Sequence, residues 1–78
     1  MGGKSTTLVN RVKELRKARG LSQQALADAV GATRQTVLTI EAGRYGPSLE
    51  LAFRIAHVLG ERIDAVFLFT PDWAERED

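Results

Sequence analysis

Two short amphipathic segments, Gln23 to Val30 and Arg34 to Ala42, are separated by only three residues, Gly31, Ala32 and Thr33. Nothing else in the sequence restricts the possible folds as much. A left-handed glycine ends the first segment without a Cβ clash, and a threonine starts the second by accepting a backbone N–H. So brief a connection gives two helices no room to relax into a side-by-side hairpin, and they are expected to cross steeply. Small Ala27 would let the backbones approach there, with Leu26, Val30, Val37 and Ile40 filling the angle between them.

The same punctuation divides the rest of the chain. Leu8, Val12, Leu15 and Ala18 recur every three or four residues, which predicts a first helix from Leu8 to Arg19 with Gly20 at its end. Ser22 is the expected N-cap of the second helix and Thr33 that of the third, which Gly43 closes. Ser48 is expected to cap a fourth helix running to Leu59, whose apolar residues Leu49, Ala52, Phe53, Ile55, Ala56 and Leu59 cover more than one face and predict a mostly buried element. Beyond Gly60, Ile63 to Phe67 makes a last turn or two, with Asp64 well placed for the helix dipole. Leu68, Phe69 and Thr70 read as extended up to Pro71. The expected class is all-α, a compact bundle of five short helices over residues 8–70 with room for a short extended segment. A loose polar lead occupies residues 1–7 and a frayed acidic tail residues 71–78.

Size and composition remove several functional classes. The chain has 78 residues, 44% of them hydrophobic and 27% charged, enough for one small core and too few for a barrel or a two-domain enzyme. With no cysteine and one histidine, His57, neither a disulfide framework, a thiolate site nor an imidazole cage is available, so no metal and no cofactor is expected. His57, midway along the fourth helix, is expected to be half-exposed. No carboxylate pair in a plausible cleft and no nucleophile beside a base is visible, so an enzyme is not expected. Neither a membrane span nor a secretory leader is apparent, and a cytoplasmic protein is the default. Gly3-Lys4-Ser5-Thr6 echoes the end of a phosphate-binding loop, without the earlier glycine and strand that such a loop needs.

Charge is uneven. Residues 71–78 hold four acids and one base, −3, so the +1 total leaves +4 on residues 1–70. Arg11, Lys13, Arg16, Lys17 and Arg19 cluster early. A polyanion partner suits such a patch, and a solvated helix face would carry the same charges.

On a helical wheel, Thr33, Thr36, Val37 and Ile40 fall on one side of the third helix, and Arg34, Gln35, Leu38, Thr39 and Ala42 on the other. The second face suits the major groove of DNA. Glutamine pairs two-pronged with adenine, arginine with guanine, and leucine touches a thymine methyl. A surface helix with one stray leucine is the plainer reading of the wheel.

At this point the sequence resembles a known family. The stretches Asn10-Arg11-Val12-Lys13-Glu14-Leu15-Arg16, Leu21-Ser22-Gln23, Ser48-Leu49-Glu50-Leu51-Ala52 and Ile63-Asp64 are similar to the phage-repressor (lambda repressor and Cro, XRE) type of helix-turn-helix domain, particularly its small stand-alone regulators. The resemblance spans Arg11 to Phe67. It implies base reading by Arg34, Gln35, Leu38 and Thr39, and phosphate contacts by Gln23 with Ser22, Thr33, Arg44 and Tyr45 near the DNA backbone. It also implies that Arg16 and Glu41 form a partly buried ion pair joining the first helix to the end of the third. Two departures matter: Ala42 stands where many relatives have asparagine, putting one phosphate contact in doubt, and Arg62 where many have serine, weakening the fifth helix's cap.

Repressor-type domains generally pair about a two-fold axis, so a homodimer on double-stranded DNA is expected. Val66, Phe67, Leu68, Phe69 and Trp73 form the apolar cluster expected to build the dimer surface, with Leu68 to Thr70 pairing between copies as short antiparallel strands. Packing back onto the same bundle is the competing use of that cluster. The expected function is a sequence-specific transcriptional regulator, a repressor, with no membrane or small-molecule partner. Two other classes fit the same residues: an antitoxin that binds a toxin and represses its own operon, and an interaction adaptor that reads no bases.

Overall fold

The computed structural model describes residues 8–44 and 46–69. Element order is β1 (Leu8–Asn10), α1 (Val12–Ala18), α2 (Gln23–Val30), α3 (Arg34–Glu41), α4 (Leu49–Leu59), α5 (Ile63–Val66) and β2 (Phe67–Phe69). Three helices begin on the expected side chains. Ser22 Oγ accepts the Ala25 amide, Thr33 Oγ1 the Thr36 amide and Ser48 Oγ the Leu51 amide, at 3.0, 3.1 and 3.2 Å. Each bond satisfies one N–H that a first helical turn leaves without a partner. Arg62 opens α5 without a side-chain cap and instead pairs with Asp64 at 3.0 Å.

Two short strands flank the helices: one replaces a turn expected to be helical, and the other is the expected extended segment, begun one residue early. Leu8 to Asn10 is a strand rather than the first turn of α1, and Phe67 leaves α5 with extended angles (φ −116°, ψ 118°). The two strands pair antiparallel, Leu8 with Phe69, Val9 with Leu68 and Asn10 with Phe67. The pairing continues past the strand, where the Arg11 amide donates to the Val66 carbonyl at 2.8 Å. Asn10 turns the chain from strand to helix, its Oδ1 accepting the Val12 amide at 3.1 Å. Within the chain, then, β2 is the partner of β1. The expected strand pairing between copies falls on a segment that already has one neighbour.

Val12, Leu26, Ala27, Val30, Val37, Ile40, Ile55, Ala56, Leu59 and Val66 form one core, with Leu15, Leu21, Ile63 and Phe67 packed against it. Val66 is fully buried there, so it is a core residue and not part of the surface expected for dimerisation. The α2–α3 corner is set by Gly31 at φ 76°, with the Ala32 amide donating to the Ala27 carbonyl at 2.9 Å. Val37 and Ile40 are each 1% exposed, and each contributes about 1.5–3 kcal/mol of transfer free energy. That burial fixes the rotation of α3 about its own axis and so decides which residues it presents outward.

Candidate nucleic-acid interface

With Val37 and Ile40 inward, α3 turns Arg34, Gln35 and Leu38 to solvent and leaves Thr36 and Thr39 half-buried at the margins. Leu38 is 37% exposed, an apolar contact in the middle of a polar face. Ala42 follows as the exposed C-cap. The side chains expected to read bases thus share one surface, and Thr39 sits at its edge with both its partners on Gln35. Its hydroxyl donates to the Gln35 carbonyl at 2.8 Å, and Gln35 Nε2 donates to Thr39 Oγ1 at 3.3 Å.

Two polar ties hold the last turn of this helix, and two more brace the turns on either side of α2. Arg16 Nε and Nη2 donate to Glu41 Oε2 and Oε1 at 2.7 and 3.2 Å, a two-pronged pair whose side chains are 8% and 4% exposed. The remaining Arg16 nitrogen, Nη1, donates to the Leu21 carbonyl at 2.8 Å, so the guanidinium also pins the α1–α2 turn. Asn10 Nδ2 donates to the Ile40 carbonyl at 2.8 Å and ties β1 to the last turn of α3. At the other side of the corner, Arg54 Nη1 donates to the Val30 carbonyl at 3.1 Å while Nη2 pairs with Glu50 at 2.7 Å.

Residues expected near phosphates surround this face unevenly. Ser22 and Thr33 both use an oxygen lone pair as caps, and Thr33 Oγ1 also lies 2.9 Å from Thr36 Oγ1. Gln23 is half-buried and its Nε2 donates to Glu41 Oε1 at 3.2 Å. A carboxamide carries a second N–H, so Gln23 can hold Glu41 and still donate outward. The first amides of α2, at Gln23 and Gln24, have no partner within their own helix and sit at its positive dipole end. Arg44 is exposed beyond α3, as are Lys13, Lys17, Arg19 and also His57, which was expected to be half-exposed. Tyr45 and Trp73 lie outside the described residues.

Asn10, Arg54 and the inward bond of Gln23 have no clear signal in the sequence. Glu50 and Arg54 stand at a helical i,i+4 spacing and announce a surface pair, yet the bond to Val30 crosses to another helix. An asparagine before an amphipathic run is a turn signal and carries no information about Ile40, thirty residues away.

Two helices joined at a glycine corner, the second braced from behind and polar in front, define a helix-turn-helix protein. Residues 12–66 match the Helix-turn-helix family, and the chain belongs to it. It is 51% identical over 65 residues to an uncharacterized HTH-type transcriptional regulator of Methanothermobacter thermautotrophicus, covering 82% of this chain and 94% of that one. Identity to the immunity repressor protein of Bacillus phage phi105 is 37% over 60 residues, 77% of this chain and 42% of the repressor. The crystal structure of the restriction-modification controller protein C.AhdI from Aeromonas hydrophila superposes with a TM-score of 0.67 at 36% identity, covering 70% of this chain and 83% of that one. The protein is a DNA-binding transcriptional regulator of this family. Among the described residues no helix is long and apolar enough to cross a membrane, and no group of three potential metal ligands occurs.

Proposed function

We propose that the protein represses transcription as a homodimer, each copy setting α3 into the major groove of one half-site. The observation that carries this reading is the division of α3 into a buried face, Val37 and Ile40, and an outward face bearing Arg34, Gln35 and Leu38 with Thr39 at its edge. Backbone phosphates are met around that face by Gln23, Ser22, Thr33, Arg44 and Tyr45, which fix register without reading sequence. Two third helices must then lie about one DNA turn, roughly 34 Å, apart, which requires pairing about a two-fold axis. For the dimer surface we assign the exposed apolar residues of the β1–β2 ribbon, Val9 and Leu68 paired across one face and 59% and 39% exposed, and Phe69 at the strand's end, 54% exposed, together with Trp73. Relatedness to the phage immunity repressor supports repression as the sign of regulation.

Selection of bound sequences from random duplex DNA tests the reading. A pseudo-palindrome is expected. Gln35→Ala then relaxes preference at one base position, whereas Gln23→Ala weakens all sequences alike. An identical loss at every site for both variants contradicts the assignment.

A further inference from the structure

We propose that Thr39 is a positioning residue that fixes the Gln35 carboxamide with its adenine-pairing edge outward. This deepens the preceding reading and rests on α3 being the base-reading helix.

The Thr39 hydroxyl has a single hydrogen. It lies 2.8 Å from the Gln35 backbone carbonyl, which can only accept, so the hydrogen is spent there. Thr39 therefore meets the Gln35 side chain with lone pairs alone. A carboxamide turned with its oxygen inward would set acceptor against acceptor; turned the other way, Nε2 donates at 3.3 Å, which is the arrangement found. The backbone of α3 thus decides, through Thr39, which way the glutamine amide faces. Oε1 and the second N–H remain on the opposite edge, an acceptor beside a donor.

That edge matches one purine. Adenine offers the major groove an acceptor at N7 and a donor at N6, whereas guanine offers acceptors at both N7 and O6. A glutamine free to turn could present its nitrogen to guanine; one whose nitrogen is held by Thr39 would set Oε1 against O6. The contact therefore works partly by exclusion. Holding the side chain before binding also reduces the rotamer entropy lost when it docks on a base.

The test compares duplexes that differ only by A·T or G·C at the position whose preference Gln35→Ala abolishes. Intact protein and Thr39→Ser should favour adenine there by about tenfold or more. Thr39→Val, similar in shape but without lone pairs, should shrink that ratio roughly two- to tenfold, the worth of one hydrogen bond. Thr39→Ala should do the same, and neither should shift the ratio further in the Gln35→Ala background. A Thr39→Val protein with the parent's ratio overturns the inference. So does an equal shift with Gln35 already removed, since Thr39 would then read the base itself. Should Gln35→Ala change no base position, the reading of α3 fails first and this inference with it.

Discussion

Glu41→Ala probes the joint that holds α3 in place. The substitution removes both acceptors of the Arg16 two-pronged pair and the partner of Gln23, leaving Arg16 bonded to the Leu21 carbonyl alone. A guanidinium whose side chain is 8% exposed cannot recover that loss from water. Breaking a buried pair from one side costs about 3–5 kcal/mol, and the surviving Leu21 bond places this case near 3 kcal/mol. For a domain of this size each kcal/mol lowers Tm by about 4–8 °C, so a fall of roughly 12–24 °C is expected. Thermal melts followed by circular dichroism measure it, and because the pair is screened from solvent the fall should persist from low salt to about 1 M. Replacing both partners, Arg16→Met with Glu41→Leu, removes the uncompensated charge and should cost less than Glu41→Ala alone. A Glu41→Ala melt within about 4 °C of the parent, or a double variant worse than the single, would show that the desolvated charge is not what the pair controls.

Gly31→Ala forces a Cβ onto a left-handed backbone at φ 76° and to within 3.1 Å of Arg54 Nη1, and should destabilise by about 1–2 kcal/mol in urea titrations. Arg11 and Arg62, by hydrogen bonding and by their charge, hold the Glu14 and Asp64 carboxyls below the usual carboxylate range. Their contribution is present above the ordinary carboxylate pKa and is lost as pH falls through the lowered values, so an Arg11→Met, Arg62→Met protein should lose less Tm than the parent between about pH 7 and pH 3. These groups are exposed, and in about 1 M salt the difference should vanish. Leu68→Glu with Phe69→Glu should give a monomer by sedimentation at tens of micromolar and abolish preference for two half-sites over one; a dimer that survives both changes would place the interface elsewhere.

Much of the helix-turn-helix part of the molecule is legible in the sequence. Ser22, Thr33 and Ser48 cap by bonding an amide three residues on, and Gly31 and Gly60 terminate helices through their own backbone angles, so the bounds of α2 and α4 follow the reading closely. The wheel of α3 separated Val37 and Ile40 from Arg34, Gln35 and Leu38 correctly because their sorting needs only the 3.6-residue period. Leu8 escapes that period. A three-residue strand is too short to show a period of two, so its apolar residue was absorbed into the helical stripe that follows. Val66 and Phe67 differ again, since an apolar run reads the same whether a core or a partner covers it.

What reaches no further than about four residues was therefore written in the order of the amino acids: helix starts, helix ends, and which side of each helix is greasy. Closure of the chain on itself belongs to the folded molecule alone. Phe67–Phe69 lies against Leu8–Asn10, Asn10 reaches Ile40, and Gln23 turns toward Glu41, because packing brings together groups whose sequence separation hides any sign of pairing. Strand pairing and cross-helix hydrogen bonds are satisfied by whichever donor or acceptor the core delivers, and only the assembled core determines which that is.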